Sequence, residues 1–295
     1  MSRYIGRFAP TPSGPLHFGS LVTALASWLD ARAAHGDWLL RIEDIDPPRC
    51  PPGADSEIKR QLEAFGLHWD GNVTYQHDRD SAYKAALDRL VTMGMAYPCS
   101  CSRKEWAGHA IYPGWCRNGV SAPERSCAYR LRTDTILNGM AWQDRRLGQQ
   151  CWNLDTLGDV VLKRRDGLWA YQLAVVVDDA AQDITDIVRG IDLLDNTPWQ
   201  RLLQHVLGLP EPRYLHLPLI VANNGQKLSK QNLAPPLPHH GKRVNALLHK
   251  ALIVLNQNPP PALCHAPPSL QLEAARLHWS PEAIGQSNKR AIPAS

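Results

Sequence analysis

Arg7-Phe8-Ala9-Pro10-Thr11-Pro12-Ser13-Gly14-Pro15-Leu16-His17-Phe18-Gly19-Ser20 is the stretch that decides the fold. It grows out of a short apolar run from Tyr4 to Phe8, which reads as a strand. A tight Gly14-Pro15 turn follows, then a histidine at the head of a helix. Leu21, Leu25, Trp28 and Leu29 recur at helical spacing, and Gly36 is expected as the helix C-cap. Trp38-Leu39-Leu40-Arg41-Ile42 then reads as a buried strand. Strand, helix, strand in this order predicts a parallel βαβ unit. A glycine turn at a helix N-terminus lets backbone N–H groups approach an anion.

Working outward, Pro47, Pro48, Pro51 and Pro52 break the chain. Ile58, Leu62 and Phe65 make the next helix face, ended by Gly66, and Tyr83, Leu87, Leu90 and Val91 make another, ended by Gly94. From about Pro98 to Ser126 the pattern is irregular and cysteine-bearing, which reads as an insertion. Regular signals return near Leu154. A strand is expected at 184–188, a helix at 199–207 and another at 244–255. Leu270, Leu272 and Leu277 suggest a last helix, and the tail beyond about Ile284 is expected to be weakly ordered.

Two further clusters carry chemistry. Arg41-Ile42-Glu43-Asp44-Ile45-Asp46 ends the second strand, where ligands of open α/β sheets bind. Its carboxylates suit an ammonium group or a metal, and equally a turn before the prolines. Lys227-Leu228-Ser229-Lys230-Gln231 is a compact two-lysine loop that can bring positive charge to a phosphate. Cys99-Ser100-Cys101 and Cys116 offer three thiolates for a tetrahedral zinc. His109, Cys127 and Tyr112 are the candidates for a fourth ligand, the first two being chemically the more ordinary.

The 295 residues suffice for one large domain or one with a small insertion. A net charge of +4 is compatible with a nucleic-acid partner without requiring one. Met1-Ser2-Arg3-Tyr4 carries no apolar signal region, and no stretch reaches the ~18 apolar residues of a membrane helix. A cytoplasmic location is therefore expected, and seven cysteines argue for thiols and a metal rather than disulfides.

On these residues the chain resembles the class I aminoacyl-tRNA synthetases of the glutamyl subgroup. The first stretch is similar to their HIGH signature and Lys227–Gln231 to KMSKS. Ser20 stands where the second histidine is expected, Leu228 replaces Met, and Gln231 replaces the final Ser. The resemblance implies an α/β, Rossmann-like class I aminoacyl-tRNA synthetase catalytic domain. Its halves, 1–97 and 127–232, flank a zinc-binding insertion at 98–126, and a short helical, Pro-rich region spans 233–295. It implies catalytic roles for His17, Lys227 and Lys230, and ATP binding by Gly14, His17, Gly19 and Lys230. Arg7, Ala9, Thr11, Glu43, Tyr171 and Arg189 are implied to bind glutamate, with Glu43 on the amino group. For zinc it favours Cys99, Cys101, Tyr112 and Cys116. Asp178 and Asp179 receive no role.

Only residues 232–295 follow the lysine loop, where full glutamyl enzymes carry a long anticodon-binding region. That pattern looks like the glutamyl-Q tRNA(Asp) synthetases. This family activates glutamate without tRNA and attaches it to queuosine in the anticodon of tRNA(Asp). The implied partners are L-glutamate, ATP with Mg²⁺, and tRNA(Asp) carrying queuosine; a monomer is expected. Two other readings are a truncated glutamyl-tRNA synthetase charging the tRNA 3′ end and a catalytically silent tRNA- or nucleotide-binding module. The joint presence of Arg7, His17, Glu43, Tyr171, Arg189 and Lys230 argues against the silent module.

Overall fold

A computed structural model describes residues 3–134, 140–153, 156–221 and 235–292. In chain order it begins with β1 (Ile5–Phe8), α1 (Phe18–Ala33), β2 (Asp37–Ile42), α2 (Ala54–Ala64), β3 (Thr74–Tyr75) and α3 (Asp80–Thr92). Next come β4 (Ala96–Cys99), β5 (Ala128–Leu131), β6 (Met140–Asp144), β7 (Gly148–Trp152) and β8 (Val161–Lys163). The chain continues through α4 (Tyr171–Ala181), β9 (Asp186–Gly190), α5 (Thr197–Leu207), β10 (Arg213–Leu217) and β11 (Leu219–Val221). It closes with α6 (Lys242–Val254), α7 (Pro268–Leu277) and β12 (Lys289–Ala291).

The predicted βαβ unit is present. β1 and β2 pair in parallel, with Ile5 opposite Asp37 and Phe8 opposite Leu40. They belong to a seven-stranded sheet of order β3-β2-β1-β9-β10-β6-β7, and only the β6-β7 hairpin runs antiparallel. The order reverses beside β1, which opens a crevice at the carboxyl ends of β1 and β9. α1 buries Leu21, Val22, Leu25 and Leu29 under this sheet, in one apolar cluster with Trp38 and Leu40 of β2 and Leu248 and Leu252 of α6. Its alanines and leucines are strong helix formers and add little side-chain entropy cost.

Gly36 does not cap α1 as expected. His35 takes the left-handed conformation, with φ 53°, and Gly36 follows with no such need. A Cβ on Gly36 would lie 2.3 Å from the Tyr4 carbonyl oxygen, so close chain crossing requires the glycine. α5 follows the usual asymmetry, with Pro198 in its first turn and Gly208, φ 61°, beyond its end.

β4, β5 and β8 form a separate three-stranded antiparallel sheet that carries the cysteine-rich stretch between β4 and β5. The tail expectation is overturned as far as residue 292. Ile284 is fully buried, and β12 pairs in parallel with β11. Arg146, from the β6-β7 turn, donates to the carbonyls of Gly285 at 3.1 Å and Ser287 at 3.0 Å. A composition rich in Pro and Ala says nothing of such a distant anchor.

Candidate active site

A cleft of about 550 Å³ opens at the carboxyl ends of β1, β9 and β10. Its walls include Arg7, Ala9, Thr11, His17, Gly19, Glu43, Tyr171 and Arg189. Every residue expected to bind glutamate therefore meets in one place. Gly14 shapes the turn between β1 and α1, with φ 129°, rather than the wall. Lys227 and Lys230 lie outside the described residues.

His17 is the N-cap of α1, and its Nδ1 accepts from the Ser20 backbone N–H at 3.2 Å. An accepting Nδ1 leaves the proton of a neutral ring on Nε2, a donor suited to an oxyanion. Ser20, in place of a second histidine, thus supports the first through its main chain.

Arg7 is buried. Its Nε and Nη2 donate to the two carboxylate oxygens of Asp179 at 3.0 and 3.4 Å. Asp179 also accepts from Arg41 at 2.7 Å, and Arg41 reaches Glu43 at 3.5 Å. This gives Asp179 a role that sequence reasoning missed: it bridges two buried guanidinium groups. Burial alone would raise its carboxyl pKa, but Arg7 and Arg41 outweigh that and hold it below the usual range. Its neighbour Asp178 accepts from Gln76 at 2.8 Å, Arg79 at 3.0 Å and Tyr83 at 2.7 Å, and it lies 3.9 Å from Arg41 Nε. The signal for both was present: paired acids after a wholly apolar helical run. Burial drives the Glu43 carboxyl up to about 7, against the pull of Arg41 and Arg7.

Arg189, on β9, is 3% exposed. It donates to His216 Nε2 at 3.0 Å, Gln200 at 2.7 Å, Thr197 at 2.8 Å and the Tyr171 hydroxyl at 3.4 Å. Among the described residues, no hydrogen-bond partner of Arg189 is a carboxylate. Burial pushes His216 down to about 4, so the ring is neutral at pH 7. A buried guanidinium among neutral acceptors is costly by itself and favours an arriving anion.

A second cavity, of about 960 Å³, shares Thr11, Glu43, Arg49 and Tyr171 with the first. Its far wall carries Arg103 from the cysteine-bearing region and Arg164 and Arg165 from the turn after β8, with Arg164 paired to Asp46 at 3.1 Å and Asp166 at 2.5 Å.

In that region the sulfurs of Cys99, Cys101 and Cys116 lie within 4.8 Å of one another. The Tyr112 hydroxyl sits 3.3 Å from Cys99 Sγ and 3.4 Å from Cys101 Sγ, and it accepts from Cys116 N at 3.1 Å. Cys127 instead donates to the Arg125 carbonyl, and His109 packs edge-on against Trp115. Three thiols and a phenol converging on one point fit zinc. Burial raises the Cys116 thiol, but hydrogen bonds from Ser121 and nearby main chain outweigh it and bring the pKa down to about 5. Burial and the surrounding sulfurs push the Tyr112 phenol upward, so an anionic phenol there needs a cation.

The model of "tRNA synthetases class I (E and Q), catalytic domain" matches residues 5–109 and 116–240. A glutamyl-Q tRNA(Asp) synthetase of Pseudomonas putida is 55% identical over 287 residues, covering 97% of this chain and 94% of that one. One from Thiobacillus denitrificans is 52% identical, covering 98% of each chain. The chain belongs to the glutamyl-Q tRNA(Asp) synthetase family. It is accordingly a ligase with a class I tRNA synthetase catalytic domain. A solved glutamate tRNA ligase from Elizabethkingia meningosepticum superposes with a TM-score of 0.84 at 24% identity. It covers 99% of this chain and 68% of that one, and bears out the expected Rossmann-like fold. No helix among the described residues is long and apolar enough to cross a membrane.

Proposed function

We propose that the protein activates L-glutamate with ATP, without tRNA, and passes the glutamyl group to queuosine in the anticodon of tRNA(Asp). The observation that carries the choice of amino acid is Arg189, a buried cation whose hydrogen-bond partners among the described residues are neutral, lining one cleft with Glu43. An amino acid with two carboxylates and one ammonium supplies the missing charges. One carboxylate addresses Arg189, the other addresses the Arg7 donors that Asp179 leaves over, and the ammonium addresses Glu43. Thr11 and Ala9 shape the same wall.

A carboxylate oxygen of glutamate attacks the α-phosphorus of ATP, and the bond to pyrophosphate breaks. His17 donates to a phosphate oxygen, and Gly19 lets the nucleotide approach the head of α1. Lys227 and Lys230 add positive charge to the departing pyrophosphate, which Mg²⁺ accompanies as it does ATP. Such charge stabilisation is the main work of phosphoryl chemistry. A hydroxyl of the queuosine cyclopentenediol then attacks the acyl carbon, AMP leaves, and an ester remains.

The second cavity supports a nucleic-acid acceptor, since its arginines suit phosphates and it meets the first cavity at Thr11, Glu43 and Tyr171. A single-stranded anticodon loop can splay one base into such a space. The relatives' names support tRNA(Asp) as its source. One zinc per chain, held by Cys99, Cys101, Cys116 and Tyr112, would staple this wall; it supplies structure rather than chemistry.

The test is labelled glutamate, ATP and tRNA from cells that make queuosine or do not. The expected result is glutamate-dependent pyrophosphate exchange without tRNA, and label only on the queuosine-bearing tRNA. Equal labelling of both, or label removed with the 3′-terminal adenosine, overturns the acceptor.

A further inference from the structure

The site described so far leaves one buried pair without a function. Asp144 ends β6 and His216 lies on β10; both are fully buried. Asp144 Oδ1 accepts from the backbone N–H groups of Arg146 at 3.0 Å and Leu147 at 2.9 Å. Its Oδ2 lies 2.6 Å from His216 Nδ1 and 3.3 Å from the His216 backbone nitrogen. The ring therefore carries its proton on Nδ1, and Nε2 presents a lone pair. That lone pair faces Arg189 Nε at 3.0 Å. The His216 ring stacks on Tyr214 at 5.8 Å with an interplanar angle of 6°, and the Arg189 guanidinium rests over the same Tyr214 ring at 5.0 Å.

We propose that His216 is a positioning residue for amino-acid recognition: held by Asp144 in the Nδ1–H form, it aims the Arg189 guanidinium at the substrate carboxylate. This rests on the reading of Arg189 as a glutamate contact. The relay runs across three neighbouring strands, β6, β10 and β9. Its value is the imidazole between the two charges. Asp144 in direct contact would take up donors of Arg189 and offset its charge at close range. At one remove, it orients the guanidinium and leaves its charge available to the substrate.

Two substitutions separate orientation from mere packing. His216→Gln can set its amide oxygen near the Nε2 position and still accept from Arg189. His216→Asn can satisfy Asp144 but is too short to reach Arg189. In glutamate-dependent pyrophosphate exchange, His216→Asn is expected to raise the KM for glutamate about tenfold, as expected for loss of one hydrogen bond to a charged group. The KM for ATP should stay within about twofold and His216→Gln close to the parent.

Asp144→Asn gives an independent route should the histidine variants fold poorly. Its oxygen takes the two turn N–H groups and its NH₂ faces Nδ1. The ring must then carry its proton on Nε2, against the Arg189 donor. The same rise in glutamate KM is expected. ¹⁵N NMR of His216 should report the Nδ1–H tautomer in the parent, whatever the substrate. An Nε2–H tautomer, a parental KM in both His216→Asn and Asp144→Asn, or equal effects of His216→Asn and His216→Gln would overturn the proposal. A parent that shows no glutamate-dependent exchange would overturn the glutamate reading itself, and the tautomer would still judge the relay.

Discussion

Glu43 ties stability and substrate binding to pH with opposite signs. Its carboxyl is raised from 4.5 to about 7, chiefly by burial. A carboxyl whose folded pKa exceeds its unfolded value binds an extra proton in the folded state between the two. Folding is therefore favoured most below about 4.5, and this advantage is lost as the pH rises through about 7. At ~1.4 kcal/mol per unit, the shift corresponds to about 3 kcal/mol. Glu43→Gln removes the ionisation while keeping shape. In urea unfolding, variant and parent should be similar near pH 4.5, with the variant gaining about 3 kcal/mol relative to the parent by pH 8.

Binding should run the other way. A substrate ammonium needs the ionised carboxylate, so glutamate KM in pyrophosphate exchange should fall as the pH rises through about 7. Glutamate should also release a proton when it binds near neutrality. In Glu43→Gln this pH dependence should vanish and KM should be high throughout. A stability difference independent of pH, together with a parental KM in the variant, would refute both the burial argument and the ammonium assignment.

Asp179→Asn removes the carboxylate that bridges Arg7 and Arg41 and leaves Arg41 only the longer contacts to Glu43 at 3.5 Å and Asp178 at 3.9 Å, so it should cost about 3 kcal/mol in urea unfolding and raise glutamate KM as Glu43 is drawn into pairing. Metal analysis should find one zinc per chain, lost in Cys101→Ser; Tyr112→Phe should weaken zinc retention against a chelator, and unchanged retention would remove the phenol from the ligand set. Gly36→Ala places a Cβ 2.3 Å from the Tyr4 carbonyl and should destabilise by ~2 kcal/mol in the same unfolding assay, with no change in KM.

What the sequence determined by itself is local. The run from Arg7 to Ser20 encodes strand, turn and capped helix through nearest-neighbour chemistry, and β1, α1 and β2 follow where spacing predicts them. Cys99, Cys101 and Cys116 sit close along the chain, so a thiol cluster was legible too, whereas His109, Cys127 and Tyr112 stayed equally open by spacing and only the family resemblance favoured Tyr112. The family signature alone implied that Arg7, Glu43, Tyr171 and Arg189 share one site. What only tertiary structure decided is how each of those side chains is held. Asp179 lies 172 positions from Arg7 and 138 from Arg41, yet bridges both. His216 and Asp144 meet because β10 and β6 are neighbours in the sheet, although 72 positions separate them. Arg146 orders a tail whose own composition argued for disorder. Periodicity reports which face of an element is buried. It carries no information on which distant polar group shares that burial, and in a low-dielectric interior that partner sets charge, tautomer and aim.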